Sequence, residues 1–191
     1  MTAKQRVPMT LSPVKKWLLI VIAATSSVVA MMLLFWAGLP NQADYIGYEV
    51  DGIGYVAPTI DEIAPPFEAT TLANDSINLI NLRGKSLIIN FWATWCAPCA
   101  IEMPELQTLY EETGIGILGI NIGESPELIA DWVTQYGLTF DIVLDPQQTI
   151  YAQYRLIGQP TTYILNPDGI ITHIFYGSTT ADALQRAIET H

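Results

Sequence analysis

The chain has 191 residues, half of them apolar and 14% charged, which allows one compact domain with appendages and excludes a disordered chain. Four of its eight Lys and Arg (Lys4, Arg6, Lys15, Lys16) precede residue 17, where there is no acid, and the other four face all nineteen Asp and Glu, leaving +4 on the tip and −15 on the remainder. So acidic a body repels phosphate backbones and anionic headgroups, which excludes nucleic acid as a partner and leaves an apolar segment as the route to a membrane.

That segment is residues 17–39, 23 positions without a charge, interrupted only by Thr25-Ser26-Ser27. As a helix rising ~1.5 Å per residue it reaches ~34 Å, enough for a hydrocarbon core of ~30 Å. Lys15-Lys16 stands before it, and Asp44 and Glu49 stand after it. The positive-inside rule therefore predicts a cytoplasmic tip over 1–16, a single-pass anchor in the cell membrane over 17–39, and an extracytoplasmic body. Trp17 and Trp36 lie near the two ends, where indoles favour the interface. A cleaved signal peptide is the alternative, with Val28-Val29-Ala30 as the small-residue site. Cleavage there would expose the apolar residues 31–36 as a new terminus, which favours the anchor. No cysteine lies near residue 40 to carry a lipid.

Residues 40–57 have scattered Gly, several aromatics and no period, and are predicted to be a linker leaning on the domain over 58–191. Short edge strands are expected around Ile77, Leu79, Ile80 and Leu82, ending at the turn Arg83-Gly84-Lys85. The run SLIINF (86–91) is almost wholly apolar, the mark of a strand covered on both faces. A helix is predicted over 96–112, a second buried strand over 115–122, and a helix opened by Ser125 and Pro126. A strand over 140–144, a short helix over 147–154, a hairpin turning at Asn166-Pro167-Asp168-Gly169 and a last helix capped by Thr179 or Thr180 complete the pattern. Strands alternating with helices argue an α/β fold, a mixed sheet covered on both faces.

The chemistry sits in Trp95-Cys96-Ala97-Pro98-Cys99, where the buried strand gives way to a helix. Two cysteines in one helical turn place their sulfurs within reach of a disulfide. The unpaired N–H groups and dipole of a helix N-terminus stabilise a thiolate at Cys96. Such a thiolate attacks a substrate disulfide, and Cys99 resolves the mixed disulfide. A zinc site would need two more ligands, and His173 and His191 are the only histidines. A structural disulfide closing so small a loop would constrain the unfolded chain little. Redox exchange is the favoured reading, with no cofactor beyond the Cys96–Cys99 pair.

FWATWCAPC after an apolar strand, Pro104 eight residues beyond Cys96, and Gly158-Gln159-Pro160-Thr161 about 60 residues later resemble the thioredoxin fold. Ala64-Pro65-Pro66-Phe67, Arg83-Gly84-Lys85, the insertion over 125–144 and Glu102 narrow the resemblance to the membrane-anchored TlpA/ResA/CcmG-like branch. The resemblance implies a thioredoxin-like mixed sheet and a cis peptide bond before Pro160. It also implies a substrate site formed by Trp95, Ala97, Pro98, Gln159, Pro160 and Thr161. Two positions depart from the pattern. Where thioredoxins carry a buried Asp that relays protons, this chain has Asn90, which cannot titrate. Glu102 is the carboxylate that could take its place, against the alternative of a solvated charge on a helix that also bears Glu105 and Glu111. The second departure is Gln159, a polar amide where the family carries an apolar residue or Thr. Trp92 is expected in the core and His173 on a strand.

The branch resemblance implies an extracytoplasmic thiol–disulfide oxidoreductase that reduces partner proteins such as apocytochrome c or copper-site apoproteins. Its electrons would come from a membrane thiol transporter of the DsbD/CcdA kind. A general protein-disulfide oxidant or isomerase is the alternative. A copper chaperone of related fold would use Cys-x-x-x-Cys, which the two-residue spacing here does not provide. The Pro-x-x-x-Thr/Ser-x-x-Cys arrangement of a peroxidase is absent around Cys96.

Overall fold

The structure, a computed structural model, describes residues 12–37 and 47–190. Most of the tip, the start of the linker with Asp44, the Trp36 side chain and the terminal His191 lie outside the described residues. The chain divides into two units, Met1–Asn41 and Gln42–His191.

In the first unit, α1 (Pro13–Ala37) is one continuous helix, and 21 of its residues, Pro13–Leu33, form a stretch long and apolar enough to cross a membrane. The polar trio does not break it. Thr25 donates its hydroxyl to the carbonyls of Val21 and Ile22, and Ser26 and Ser27 donate theirs to Ala23. Each hydroxyl is thereby satisfied within its own helix, as an apolar solvent requires.

The second unit opens with β1 (Tyr48–Val50) and β2 (Gly54–Val56), an antiparallel hairpin inside the stretch read as linker. Gly52 and Gly54 make the reversal possible with left-handed φ values of 76° and 100°. Val56 and Ala57 are fully buried, and the Gln153 amide donates to the Tyr48 hydroxyl at 2.6 Å. A second hairpin pairs β3 (Glu68–Thr70) with β4 (Ser76–Asn78). The strand expected to continue from there is instead a 3₁₀ turn, Leu79–Leu82, because the Asn78 side chain accepts from the Ile80 N–H and turns the chain.

Five strands form the main sheet: β5 (Leu87–Trp92), β6 (Gly116–Ile122), β7 (Asp141–Asp145), β8 (Thr161–Leu165) and β9 (Ile171–Tyr176). Their order is β7-β6-β5-β8-β9, with β5, β6 and β7 parallel and β8 and β9 antiparallel to their neighbours. The helices are α2 (Ala97–Thr113), α3 (Pro126–Tyr136), α4 (Thr149–Gln153) and α5 (Ala181–Glu189). Every residue of β5 is buried, so its alternation divides between two cores. Ile89 and Phe91 pack with Leu118, Tyr154 and Tyr163 on one face, while Ile88 and Trp92 pack with Met103, Leu106 and Leu184 on the other. Each large apolar side chain so buried contributes about 1.5–3 kcal/mol.

At the carboxyl end of β7, the buried Asp145 carboxylate accepts from the N–H groups of Thr149, Ile150 and Tyr151. It thereby starts α4 in place of the helix's own cap residue, Gln148, whose side chain makes no capping bond. The Asp145 carbonyl meanwhile accepts from Gly123 N–H at 3.0 Å, fixing the turn after β6. The carboxyl ends of β6 and β7 are thus held together by their loops, at the same end of the sheet as that of the parallel strand β5. The reactive motif grows from that end.

Candidate active site

β5 ends at Trp92, and Ala93 to Cys96 make a tight turn in which the Cys96 N–H donates to the Ala93 carbonyl at 3.2 Å. Cys96 is the N-cap of α2, and Pro98 falls in the first turn, where its missing N–H costs nothing. Cys96 and Cys99 form a disulfide. Cys96 Sγ accepts from the Cys99 N–H at 3.2 Å, so the helix already directs a donor at the sulfur that would carry negative charge after reduction. Cys99 lies fully buried and Cys96 nearly so. Around them Trp95 stays 69% exposed, and Ala97 and Pro98 are exposed.

The peptide bond Gln159-Pro160 is cis, as the motif predicted. Pro160 is buried and its carbonyl accepts from the Gly177 N–H, while Thr161 donates its hydroxyl to the Gly158 carbonyl at 2.8 Å. Thr161 therefore braces the loop. Gln159 is half-buried, and Ile157, two residues before it, is 93% exposed. His173 lies on β9 with its ring parallel to that of Phe175, and Trp92 is fully buried against Trp132, as expected of a strand residue and a core residue.

Glu102 is not a solvated helix charge. It is fully buried on the inner side of α2, one helical turn beyond Cys99. The side-chain amide of Asn90, on β5, donates to its Oε2 at 2.9 Å, and the Thr162 hydroxyl, on β8, donates to its Oε1 at 2.9 Å. Asn90 also donates to Thr162 at 2.8 Å, closing a triangle across three elements. Asn90 thus occupies the buried position the sequence assigned it, and it acts as a donor to the carboxylate. Desolvation raises the Glu102 pKa from 4.5 to about 7, against the opposing pull of the hydrogen bonds from Thr162, Asn90 and the Thr179 backbone. Glu102 consequently exchanges its proton near neutrality.

Sequence reasoning missed a second cluster beside the cysteines. The half-buried Glu124 carboxylate accepts from the Thr94 N–H at 2.7 Å, from the Thr94 hydroxyl and from the Asn121 side-chain amide at 2.7 Å. No motif marks these three residues. The only hint was a Gly-Glu pair directly after a buried strand, and loop acids are common.

A five-stranded mixed sheet, a Cys-x-x-Cys pair at a helix N-terminus and a cis-proline loop define a thioredoxin-like thiol–disulfide oxidoreductase. Comparison with known proteins agrees. The chain belongs to the AhpC/TSA family, whose model matches residues 60–174, and within it to the ResA-type thiol–disulfide oxidoreductases. It is 35% identical over 137 residues to thiol-disulfide oxidoreductase ResA of Geobacillus kaustophilus, covering 70% of this chain and 79% of that one. It is 31% identical over 180 residues to the thioredoxin-like protein YneN of Bacillus subtilis, covering 92% and 98%. Among solved structures it resembles StoA from Bacillus subtilis with a TM-score of 0.58 and 29% identity, over 64% of this chain and 96% of that one.

The raised Glu102 pKa sets a pH dependence of stability. Below pH 4.5 the carboxyl is protonated folded or unfolded; above that, the unfolded chain ionises while the folded one holds its proton until about pH 7. Stability should therefore fall by about 3 kcal/mol across that interval and then level off. Glu102→Gln should remove this component, and Glu105→Gln should leave it, since a Gln there still accepts from the Ala181 N–H as Glu105 does. Urea titrations at several pH values measure it; equal slopes for wild type and Glu102→Gln would refute the assignment.

Proposed function

We propose that this chain is a reductant for disulfides in exported proteins, such as apocytochrome c or copper-site apoproteins, held at the membrane by α1 with its N-terminus in the cytoplasm. Cys96 attacks, Cys99 resolves, and the dithiol is the sole redox group. The substrate site falls to Trp95, Ala97, Pro98, Gln159, Pro160 and Thr161, the residues that the family resemblance implies. Among the described residues the Gln159 backbone N–H and C=O form no hydrogen bond, which leaves them for an extended substrate segment.

The Cys96 thiolate adds to one substrate sulfur and expels the other as a thiolate. Cys99 then gives its proton toward Glu102 and attacks Cys96 Sγ, so the second substrate sulfur leaves and the disulfide returns. Two electrons pass to the substrate. A membrane thiol transporter of the DsbD/CcdA kind restores the dithiol by the reverse exchange.

The observation that carries the reductant reading is the buried Glu102 carboxylate on the Cys99 side of the helix. A neighbouring anion disfavours the thiolates of the reduced form, whereas strong oxidants of this fold stabilise them. The ResA names of the relatives agree with the chemistry, and the motif resemblance supplies the substrate class. The positive tip supports the orientation.

Three measurements test this. Cys99→Ala should accumulate mixed disulfides with its partners while Cys96→Ala does not; trapping by Cys96→Ala alone would reverse the roles. The reduction potential should lie well below ~−200 mV, whereas a value near ~−120 mV would make the chain an oxidant. Protease added outside right-side-out vesicles should digest or release the domain over 58–191 and spare the tip. A fully protected domain would overturn the orientation.

A further inference from the structure

We propose that Glu124 is a positioning residue for disulfide exchange, clamping the turn that presents Trp95 and Cys96 to a protein substrate. The proposal rests on Cys96 as the attacking thiol.

The turn needs a clamp. It joins the end of β5 to the first turn of α2, and its middle is Thr94 and the exposed Trp95. Its own internal tie is the single bond from the Cys96 N–H to the Ala93 carbonyl. The Thr94 N–H finds its partner 30 residues away, at Glu124 Oε2, and the Thr94 hydroxyl donates to Oε1 of the same carboxylate. Both oxygens therefore grip one residue, two positions before the attacking sulfur.

The anchor of that grip is firm. Asn121, which donates to Glu124 Oε2, is buried near the end of β6 and lies directly across from Trp92 in the parallel register of β5 and β6. Gly123, next to Glu124, takes a left-handed φ of 70° and donates its N–H to the Asp145 carbonyl. Glu124 thus bolts the turn to the carboxyl ends of β6 and β7. Glu102 acts inside α2 and Glu124 outside it, so the two carboxylates serve the motif from different elements.

Chemistry distinguishes reach from charge. A Gln at 124 has the same length and keeps all three links: its carbonyl oxygen can accept from the Thr94 N–H and from Asn121, while its NH₂ can donate to the Thr94 hydroxyl, which accepts as readily as it donates. An Asp at 124 keeps the charge and falls one methylene short. The two substitutions therefore separate the alternatives.

The test uses the full chain in detergent, with insulin as the protein disulfide and iodoacetamide as a small thiol reagent. Glu124→Asp should lower kcat/KM for insulin reduction about tenfold, the scale expected when a reacting group is misplaced, while Glu124→Gln stays within about twofold of wild type. Alkylation of Cys96 by iodoacetamide, which needs no docking against the turn, should change less than twofold in both. Glu124→Gln falling with Glu124→Asp retaining activity would make the charge responsible and overturn the proposal. So would equal loss in both, wild-type rates in both, or alkylation falling in step with insulin reduction. Trapping by Cys99→Ala, with Glu124 intact, reads the underlying assignment separately: its failure sinks the role of Cys96 whatever the Glu124 variants do.

Discussion

A carboxylate buried behind a disulfide is an expensive arrangement, and the sheet is arranged so that Glu102 is not left alone. Its two oxygens draw hydrogen bonds from β5 through Asn90 and from β8 through Thr162, while the carboxylate itself belongs to α2. The central strand β5, its neighbour β8 and the helix that carries the cysteines are thus bound through one polar group inside an otherwise apolar core. Without those donors the charge would cost several kcal/mol and the site would refill with an apolar side chain or open to water. With them, the group remains titratable near neutrality. An Asn suits this place better than a second acid would, because it donates without adding a like charge.

Local chemistry was readable in the sequence, and distant partnerships were not. Cys96 and Cys99 announce themselves through their two-residue spacing, Pro160 through the resemblance of its loop to the thioredoxin family, and β5 through an apolar run that has no solvent face. Glu102 was ambiguous because its helix carries Glu105 and Glu111 as well, and only the packing of β5 and β8 decides which acid points inward. Its burial follows from sharing the Cys99 side of the helix. Glu124 left almost no trace, since its partners Thr94 and Asn121 are ordinary residues brought together by the parallel register. The hairpin at Tyr48–Val56 was hidden because its glycines, which permit the reversal, also erase the alternation by which strands are recognised.

Electrostatics acts at two scales here. Over the whole chain, the acids outnumber the bases and give the body a negative charge, which works against phosphate and anionic lipid. Around the cysteine motif, two carboxylates sit in different surroundings. Glu102 is dehydrated, and that desolvation raises its pKa to about 7. Glu124 is half-buried and its oxygens are occupied by three donors from Thr94 and Asn121. Identical headgroups end with different proton affinities and different partners because one faces a core and the other a loop.

The contrast between β5 and the exposed loop residues Trp95 and Ile157 bears on how such a protein can diverge. No position from Leu87 to Trp92 has a free side, so any change of size or polarity there disturbs one core or the other. Trp95 and Ile157, by contrast, are exposed at 69% and 93% and support little of the fold. Substitutions at such exposed positions are therefore close to free in folding terms, while those in β5 are not. A duplicated copy could acquire a new client by drift at a handful of surface positions, with its exchange chemistry carried along unchanged.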